Sequence, residues 1–320
     1  MERTTTAPAV SVVIPLFNCL RLTQAMLESL DATWPGDLTR ELIFVDDGST
    51  DETRRWLASL SVRTDVRVVL NERNLGYAAS NNRGAAVARG RLLVLLNNDL
   101  VLLPRWLEPL LKIHAKLGAE AGAIGNVQYS VANGRIDHAG IQFDAKGKPE
   151  HIRELPLGSN STWSVRRWRR VDAVTGACLL IDRELWGQLG GFDEGYVNGC
   201  EDVDLCLRAS ASGRTNAISL CSRVLHHVSS SPGRKRRDEM NTLRLTLRWR
   251  ERIVFLAARR WCAHYLACEW THPRNPDSAK AAAAALSYVL HLQSKPPAVA
   301  IAGLTAAIDH EVARWNAIVT

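Results

Sequence analysis

Paired cysteines, long apolar runs and glycine-rich phosphate loops are all missing from this sequence, and each absence removes a class of protein. The seven cysteines are scattered, odd in number and never arranged as C-x-x-C. That pattern excludes a disulfide framework or a zinc ribbon and predicts reduced thiols, several in the core, of a cytosolic protein. No uninterrupted apolar run is long enough to span a bilayer; the longest, Leu92–Leu103, is broken by Asn97-Asn98-Asp99. Met1–Pro8 has no apolar h-region, so no secretory signal is predicted there. No G-x-G-x-x-G follows the first strand and there is no P-loop, which argues against a dinucleotide-binding oxidoreductase. Acidic residues are the scarcer charge, 33 against 40 Lys and Arg, a formal +7. This permits an anionic partner: nucleic acid, a phosphorylated small molecule or an acidic membrane surface. With 46% hydrophobic and 23% charged residues among 320, the chain is neither disordered nor a polytopic membrane protein.

What is present is an alternation of strands and helices. Val10–Ile14 is a β-branched run ended by Pro15, followed by an amphipathic stretch, Leu20–Leu30. Glu41–Val45 is the next strand, stopped by Asp46-Asp47-Gly48-Ser49, and the Ser49/Glu52 spacing of a capping box predicts a helix through Leu60. Val66–Leu70, a small-residue helix over Gly76–Arg89, the strand Arg91–Leu96 and a helix opened by Pro104 continue the series. Apolar strands alternating with helices predict a parallel sheet covered on both faces, with ligands at the carboxyl edge of the strands. That edge holds Pro15–Asn18, Asp46–Ser49, Asn71–Asn74 and Asn97–Asp99. Gly118 to about Val174 reads as less regular, with short strands and Gly-rich turns, and Trp163–Arg170 as a basic surface loop. Helices are predicted at Arg183–Leu189 and Glu201–Ser212. Beyond the basic run Arg234–Arg237, helical periodicity covers Met240–Trp270, Ala281–His291 and Ala298–Trp315.

Two polar clusters end buried strands: Asp46-Asp47 and Asn97-Asn98-Asp99. Carboxylates at strand ends suit a ribose, a base or a divalent cation, although Asp-Gly-Ser and Asn-Asp are also turn formers. Glu201, Asp202 and Asp204 crowd a helix start. They either charge that terminus favourably or repel one another enough to raise a pKa into the range of a general base. His226 and His227 are adjacent, so on a strand one of them at most reaches a given metal.

In order and spacing, the segments SVVIPLFN, LIFVDDGSTDET, NERNLGYAASNNRGAAVARG and LLVLLNND, then VTGACLLIDRELWGQLGGFDE, GYVNGCEDVDLCLR and CSRVLHHVSSSPGR, resemble the family-2 glycosyltransferases of the GT-A fold. The resemblance covers roughly residues 9–235 and not the helical tail. It implies an α/β fold with a mixed, mainly parallel sheet flanked by helices. A GT-A catalytic domain would span 1–235, with a nucleotide-sugar half at about 9–100 and an acceptor half at 101–235, before a helical region at 236–320. The implied activity is inverting transfer of one sugar from a nucleotide diphosphate sugar, with uridine the expected base, to a glycan, lipid-linked or protein acceptor. Pro15, Phe17, Asp46 and Asp47 match positions that hold base and ribose. Arg73, Asn97, Asn98 and Gly176 match donor-contacting positions. Asp99 of the D-x-D segment, with Asn97 replacing its first Asp, and His226 match ligands of Mn²⁺ or Mg²⁺. Asp202 matches the catalytic base, Glu201 an acceptor-binding or base-orienting position, and Asp204 is expected to be structural. The processive branch of the family is set aside, since Arg248-Trp249 is preceded by Leu245 where that branch has Gln. The chain is expected in the cytoplasm, with peripheral contact to anionic membrane through its basic runs, and without specific nucleic acid. The rival readings are a non-catalytic binding or assembly subunit on the same fold and a basic nucleic-acid-binding protein.

Overall fold

Four short apolar runs form the parallel heart of the sheet: β1 (Val10–Leu16), β2 (Arg40–Asp46), β3 (Val66–Leu70) and β4 (Leu92–Leu96). The helices α1 (Leu20–Thr33), α2 (Thr53–Ser59) and α3 (Tyr77–Val87) lie between them in the chain. Their spatial order is β3-β2-β1-β4, all parallel. Every residue of β1 and β4 is buried, as expected for strands covered on both faces.

The second half turns this sheet into a mixed one. It contributes β5 (Leu100–Leu102), α4 (Glu108–Leu117), β6 (Ala121–Ser130), β7 (Ile136–His138), β8 (Ile141–Phe143), β9 (Pro149–His151), β10 (Trp168–Arg170), β11 (Cys178–Asp182), α5 (Arg183–Leu189), α6 (Glu201–Ala211) and β12 (Thr215–His226). The full order is β10-β12-β6-β11-β4-β1-β2-β3, with β5 beside β12 and β7 beside β6. β11 runs antiparallel to both β4 and β6, while β12 runs parallel to β6. The helices α7 (Arg234–Thr271), α8 (Pro276–Val289) and α9 (Ala298–Val319) follow.

The structure, a computed structural model, describes residues 7–155, 167–227, 234–271 and 276–319. They divide into two compact units, one comprising Met1–Ile141 and His151–Pro232, the other Gln142–Glu150 and Gly233–Thr320. In the second unit the turn at Gly147 packs on Ile253 and Ile308, and Lys148 pairs with Glu311 at 2.8 Å. α7 bends at Trp249, whose φ of −117° is not helical. Among the described residues, no helix is long and apolar enough to cross a membrane. None of the seven cysteines is joined in a disulfide.

Local expectations differ from the structure in four places. Ser49 does not cap α2. Its hydroxyl accepts the Asn18 amide at 2.8 Å, and Asp51 takes the Thr53 amide instead at 3.0 Å. Pro104 does not open α4, because Arg105 adopts a left-handed φ of 63°; Pro109, in the first turn of α4, occupies the tolerated position. The irregular middle contains β6, ten residues long and central in the sheet. Its Gly122 and Gly125 sit where a Cβ would come within 2.7 Å of Asn216 Oδ1 and 2.9 Å of Val174 Cβ. Close packing thus demands the residues that hide the strand from a periodicity search. Finally, Trp168–Arg170 is the edge strand β10; the rest of the basic segment up to residue 166 lies outside the described residues, as do the Arg234–Arg237 side chains.

Gly84 of α3 faces the sheet, where a methyl group would lie 2.4 Å from Val13 Cγ1 and 3.0 Å from Val45 Cγ2. Gly84→Ala should therefore cost about 1–3 kcal/mol by overpacking, outweighing the ~1 kcal/mol gained in helix propensity. Urea unfolding should show net destabilisation; unchanged or greater stability would mean that α3 can move off the strands.

Candidate active site

The carboxyl ends of β1, β2 and β3 are joined by polar contacts. Asp46 is fully buried; its Oδ2 accepts Arg54 Nε at 2.6 Å and its Oδ1 accepts the Ser49 amide at 3.2 Å. Asp47 is also buried. Its Oδ1 accepts Asn71 Nδ2 and the Leu75 amide, both at 2.8 Å, and its Oδ2 accepts the Gly76 amide at 2.9 Å. The sequence places both aspartates at the donor, whereas the structure commits their oxygens to the surrounding loops. Gly48, at φ 81°, lies under the backbone of Arg73, where a Cβ would be 2.7 Å from the Arg73 carbonyl carbon. The Arg73 side chain is exposed. Pro15 is buried within β1, while Phe17, just past its end, is 46% exposed. Asn98 turns toward α1 and donates to Thr23 Oγ1 at 2.9 Å. Asn97 donates its amide to Ala177 O at 2.9 Å and keeps a buried, unpartnered Oδ1.

Asp99 and His226 are brought together by the pairing of β5 with β12, in which Leu100 stands opposite His226. His226 Nε2 lies 3.3 Å from Asp99 Oδ1, and Asp137 Oδ2 lies 3.8 Å from His226 Nδ1. Burial alone would lower the His226 pKa, but the nearby carboxylates of Asp137 and Asp99 raise it to about 9. The imidazolium in turn holds the Asp137 carboxyl below its ordinary range, against the opposing effect of burial. His227 faces differently, its amide donating to Asp99 O at 3.0 Å. Asp99 Oδ1 is buried without a hydrogen-bond partner. A carboxylate oxygen left without a donor and facing an imidazole nitrogen is a donor pair that fits a divalent cation. Among the described residues, no three His, Cys, Asp or Glu side chains converge on one point, and the pair is what they offer.

Asp202 opens α6 beside them. Its Oδ2 accepts the Gly176 amide at 2.9 Å and its Oδ1 the Val203 amide at 2.8 Å. Burial raises the Asp202 pKa, partly offset by these bonds and by His151. Glu201 is deeper, 5% exposed, and accepts the Gly199 amide at 2.6 Å. Burial, then the Asp202 charge, pushes its carboxyl up to about 8. Burial raises both carboxyls, so the two titrate as one coupled pair. Asp204 is fully buried and paired with Arg208 at 2.8 Å. The loops leading into this edge carry four left-handed non-glycine residues, Asn18, Cys19, Asn198 and Cys200, at φ 55°, 59°, 53° and 69°. Such strain gathers where geometry serves a site.

Four residues escaped the sequence reading. Tyr77 begins α3 with a buried, unpartnered hydroxyl, 2.8 Å from where a Gly176 Cβ would stand. Burial raises its phenol pKa well above the ordinary value, and the charges of Glu201, Asp202 and Asp99 act the same way. Asp137 faces His226, as above. His138 is fully buried, and its Nε2 accepts the amides of Gly140 at 3.2 Å and Thr175 at 3.4 Å. It packs edge-on against His151 at 4.8 Å, and burial pushes its pKa well down. No periodicity marks these three polar residues of the middle segment; Tyr77 was readable only as a helix start.

The Glu201 shift has a consequence for stability. Its folded pKa lies above the unfolded value of 4.5, so its contribution is fully present below pH 4.5 and is lost as pH rises through about 8. Glu201→Gln keeps an acceptor for the Gly199 amide and cannot ionise. Its melting temperature should gain on that of the native chain by a few degrees between pH 5 and 9, the window set by these pKa values. Parallel melting profiles across that window would contradict the assignment.

Residues 11–185 match the family described as Glycosyl transferase family 2. Uncharacterized protein y4gI of Sinorhizobium fredii is 33% identical over 80% of this chain and 28% of its own length. O-antigen biosynthesis protein RfbC of Myxococcus xanthus is 32% identical over 70% of this chain and 18% of its own. The chain thus spans less than a third of these longer relatives. N-acetylglucosaminyl-diphospho-decaprenol L-rhamnosyltransferase of Mycobacterium tuberculosis is 29% identical over 60% of this chain and 68% of its own. The fold is shared with GalNAc-T7 solved with UDP, GalNAc and Mn²⁺ (TM-score 0.62, 20% identity, 77% of this chain and 50% of that one). It is also shared with the mannosyltransferase PcManGT of Pyrobaculum calidifontis in complex with GDP-Man and Mn²⁺ (TM-score 0.55, 19% identity, 96% and 88%). With more than half of its residues inside the family match, the chain belongs to glycosyl transferase family 2.

Proposed function

We propose that the chain is an inverting, metal-dependent glycosyltransferase that adds one sugar per encounter, from a UDP-sugar to an acceptor hydroxyl in glycan, lipid-linked glycan or glycoprotein biosynthesis. One observation carries this reading. Asp202 is held by the amide of Gly176, which faces the Tyr77 hydroxyl, and Asp99, paired with His226, lies within charge reach of the same phenol.

In this reading the half at about residues 9–100 receives the nucleotide. Phe17 offers an exposed ring to the base, and Pro15 sets the strand end from which it projects. Asp46 and Asp47 shape the rim of the donor site by holding Ser49, Asn71 and the 75–76 backbone. Arg73 and Asn97 serve the diphosphate, and the Asn98 bond to α1 holds the turn between them and Asp99. Asp99 and His226 would hold Mn²⁺ or Mg²⁺, which supplies Lewis-acid stabilisation of the departing diphosphate. Asp202, fixed by the Gly176 amide, takes the acceptor proton as the oxygen attacks the anomeric carbon. A single base and a single displacement invert that centre. Gly176 brings its amide close because it has no Cβ to meet Tyr77. Glu201 binds the acceptor or orients Asp202.

UDP in the GalNAc-T7 complex and the decaprenol-linked substrate in the rhamnosyltransferase's name support a uridine donor and a lipid-linked acceptor. Such an acceptor fits a cytoplasmic enzyme in peripheral contact with anionic membrane, and leaves no role for specific nucleic acid. The catalytic domain spans 1–235, with acceptor binding in 101–235, followed by the helical region 236–320.

A thermal-shift panel of nucleotide diphosphates and their sugars, with and without Mn²⁺, should give a metal-dependent rise with uridine nucleotides. The absence of any shift would favour a binding or assembly subunit. Asp202→Asn should abolish transfer while leaving donor binding nearly intact; undiminished turnover would remove Asp202 as the base. Asp99→Ala should lose the metal-dependent part of donor affinity, and a mutant that keeps it would sink that assignment.

A further inference from the structure

Asp137 occupies an irregular position in the sheet. β7 pairs antiparallel with β6 through His138 opposite Gln128 and Ile136 opposite Tyr129, with a shift of register between the two pairs. Asp137 is the extra residue in that shift, with nothing opposite it on β6. Such a bulge bends the strand and re-aims the side chain it carries, and bulges concentrate beside active sites. Here the side chain is aimed at His226. Asp137 Oδ2 lies 3.8 Å from Nδ1, while Nε2 of the same ring lies 3.3 Å from Asp99 Oδ1. The imidazole is thus strung between two carboxylates, one at each nitrogen.

The two ends are not equivalent. Nδ1 is buried and has no hydrogen-bond partner, and 3.8 Å is longer than a hydrogen bond. A buried N–H left in this condition is costly, so a small closing movement toward Asp137 is favoured. A neutral imidazole has one N–H and one bare nitrogen, and a carboxylate beside Nδ1 decides which is which. With the proton on Nδ1, the bare lone pair of Nε2 points toward Asp99. With the proton on Nε2, the ring offers that side an N–H, which binds no cation. The next residue, His138, serves a separate task, accepting the Thr175 amide beside Gly176.

We infer that Asp137 is a positioning residue, which accepts a hydrogen bond from His226 Nδ1–H and so keeps Nε2 directed at the cation beside Asp99. It touches neither donor nor acceptor. The inference rests on the reading of Asp99 and His226 as the cation ligands, and the experiment separates the two.

Calorimetric titration with Mn²⁺, alone and in the presence of UDP, is compared for the native chain and for D137N, D137E, D99A and H226A. D137N should bind Mn²⁺ roughly 10- to 100-fold more weakly, the usual effect of removing a partner of a ligating histidine. D137E should recover part of the loss, and UDP affinity without Mn²⁺ should not change in either variant. The ¹⁵N shifts of the His226 ring in the native chain with Mg²⁺ and UDP should place the proton on Nδ1. If D137N binds Mn²⁺ as the native chain does while H226A loses it, the positioning role fails and the cation site stands. If D99A and H226A also bind Mn²⁺ normally, the cation site fails and the inference goes with it. Should D137N not fold, the native ring decides, since a proton found on Nε2 overturns the inference.

Discussion

Leu100, Val101 and Leu102 pair antiparallel with His226, Leu225 and Val224, and on those three residues hangs the meeting of Asp99 with His226. Leu100, Leu102 and Val224 are each at most 2% exposed, so burial locks the pairing against fraying. The His227 amide extends it by one more bond, to Asp99 O at 3.0 Å. On the other side of β12, β6 continues alongside as far as Ser130 opposite His226. The last turn of β12 is therefore held from both edges, and the histidine it carries arrives at a defined place. Neither Asp99 nor His226 has to be strongly attracted to the other for the site to exist. The sheet brings them together first, and their electrostatics follows from that placement.

That electrostatics is unfavourable by itself. Asp99, Asp137, Glu201 and Asp202 all lie within charge reach of Tyr77 or His226. The response is internal: against burial, the carboxylates of Asp137 and Asp99 push His226 up to about 9, and burial with the Asp202 charge pushes Glu201 up to about 8. Each is the response expected of a titratable group among excess negative charge in a partly dry setting. Left-handed Asn18, Cys19, Asn198 and Cys200 add backbone strain to the same edge. The fold tolerates both because β1 and β4 are buried along their whole length. A site of this kind is a local departure from the best folded arrangement, carried by a core that has stability to spare.

The sequence made the strands legible where burial on both faces leaves a mostly apolar, β-branched or leucine-rich run, as in Leu92–Leu96 and Val10–Ile14. It also exposed the strand-end clusters, because polar residues interrupting such runs have few structural reasons to be there. It failed at β6, whose Gly122 and Gly125 answer to close-packed neighbours from elsewhere in the chain rather than to a period. Ser49 misled for a related reason. The capping-box spacing is present, but a tertiary partner, the Asn18 amide, takes the hydroxyl first. Asp137 and His138 were invisible because their meaning lies in a register shift, and register is a property of two strands. Asp46 and Asp47 were visible as polar, yet only the structure shows how many of their lone pairs the loops consume.

Those consumed lone pairs connect the two ends of the site. Asp47 binds the amides of Leu75 and Gly76, and the next amide, Tyr77, donates to Asn198 Oδ1 at 3.0 Å. Three consecutive backbone N–H groups thus leave the same short segment for opposite partners: the end of β2 on one side and the loop entering α6 on the other. Gly76 makes this possible at φ 92°, a conformation costly for any residue with a Cβ. Asn82 adds a second tie a turn later, donating to Phe192 O and accepting its amide, both at 2.9 Å. The end of β2, the start of α3 and the loop that precedes Glu201 and Asp202 are therefore joined in one hydrogen-bonded path. The path runs through backbone amides, so it tolerates wide side-chain variation at Leu75 and is intolerant of change at Gly76. In physical terms Asp47 does for the Glu201–Asp202 end of the site what the β5–β12 pairing does for Asp99 and His226: it fixes where a distant side chain must stand.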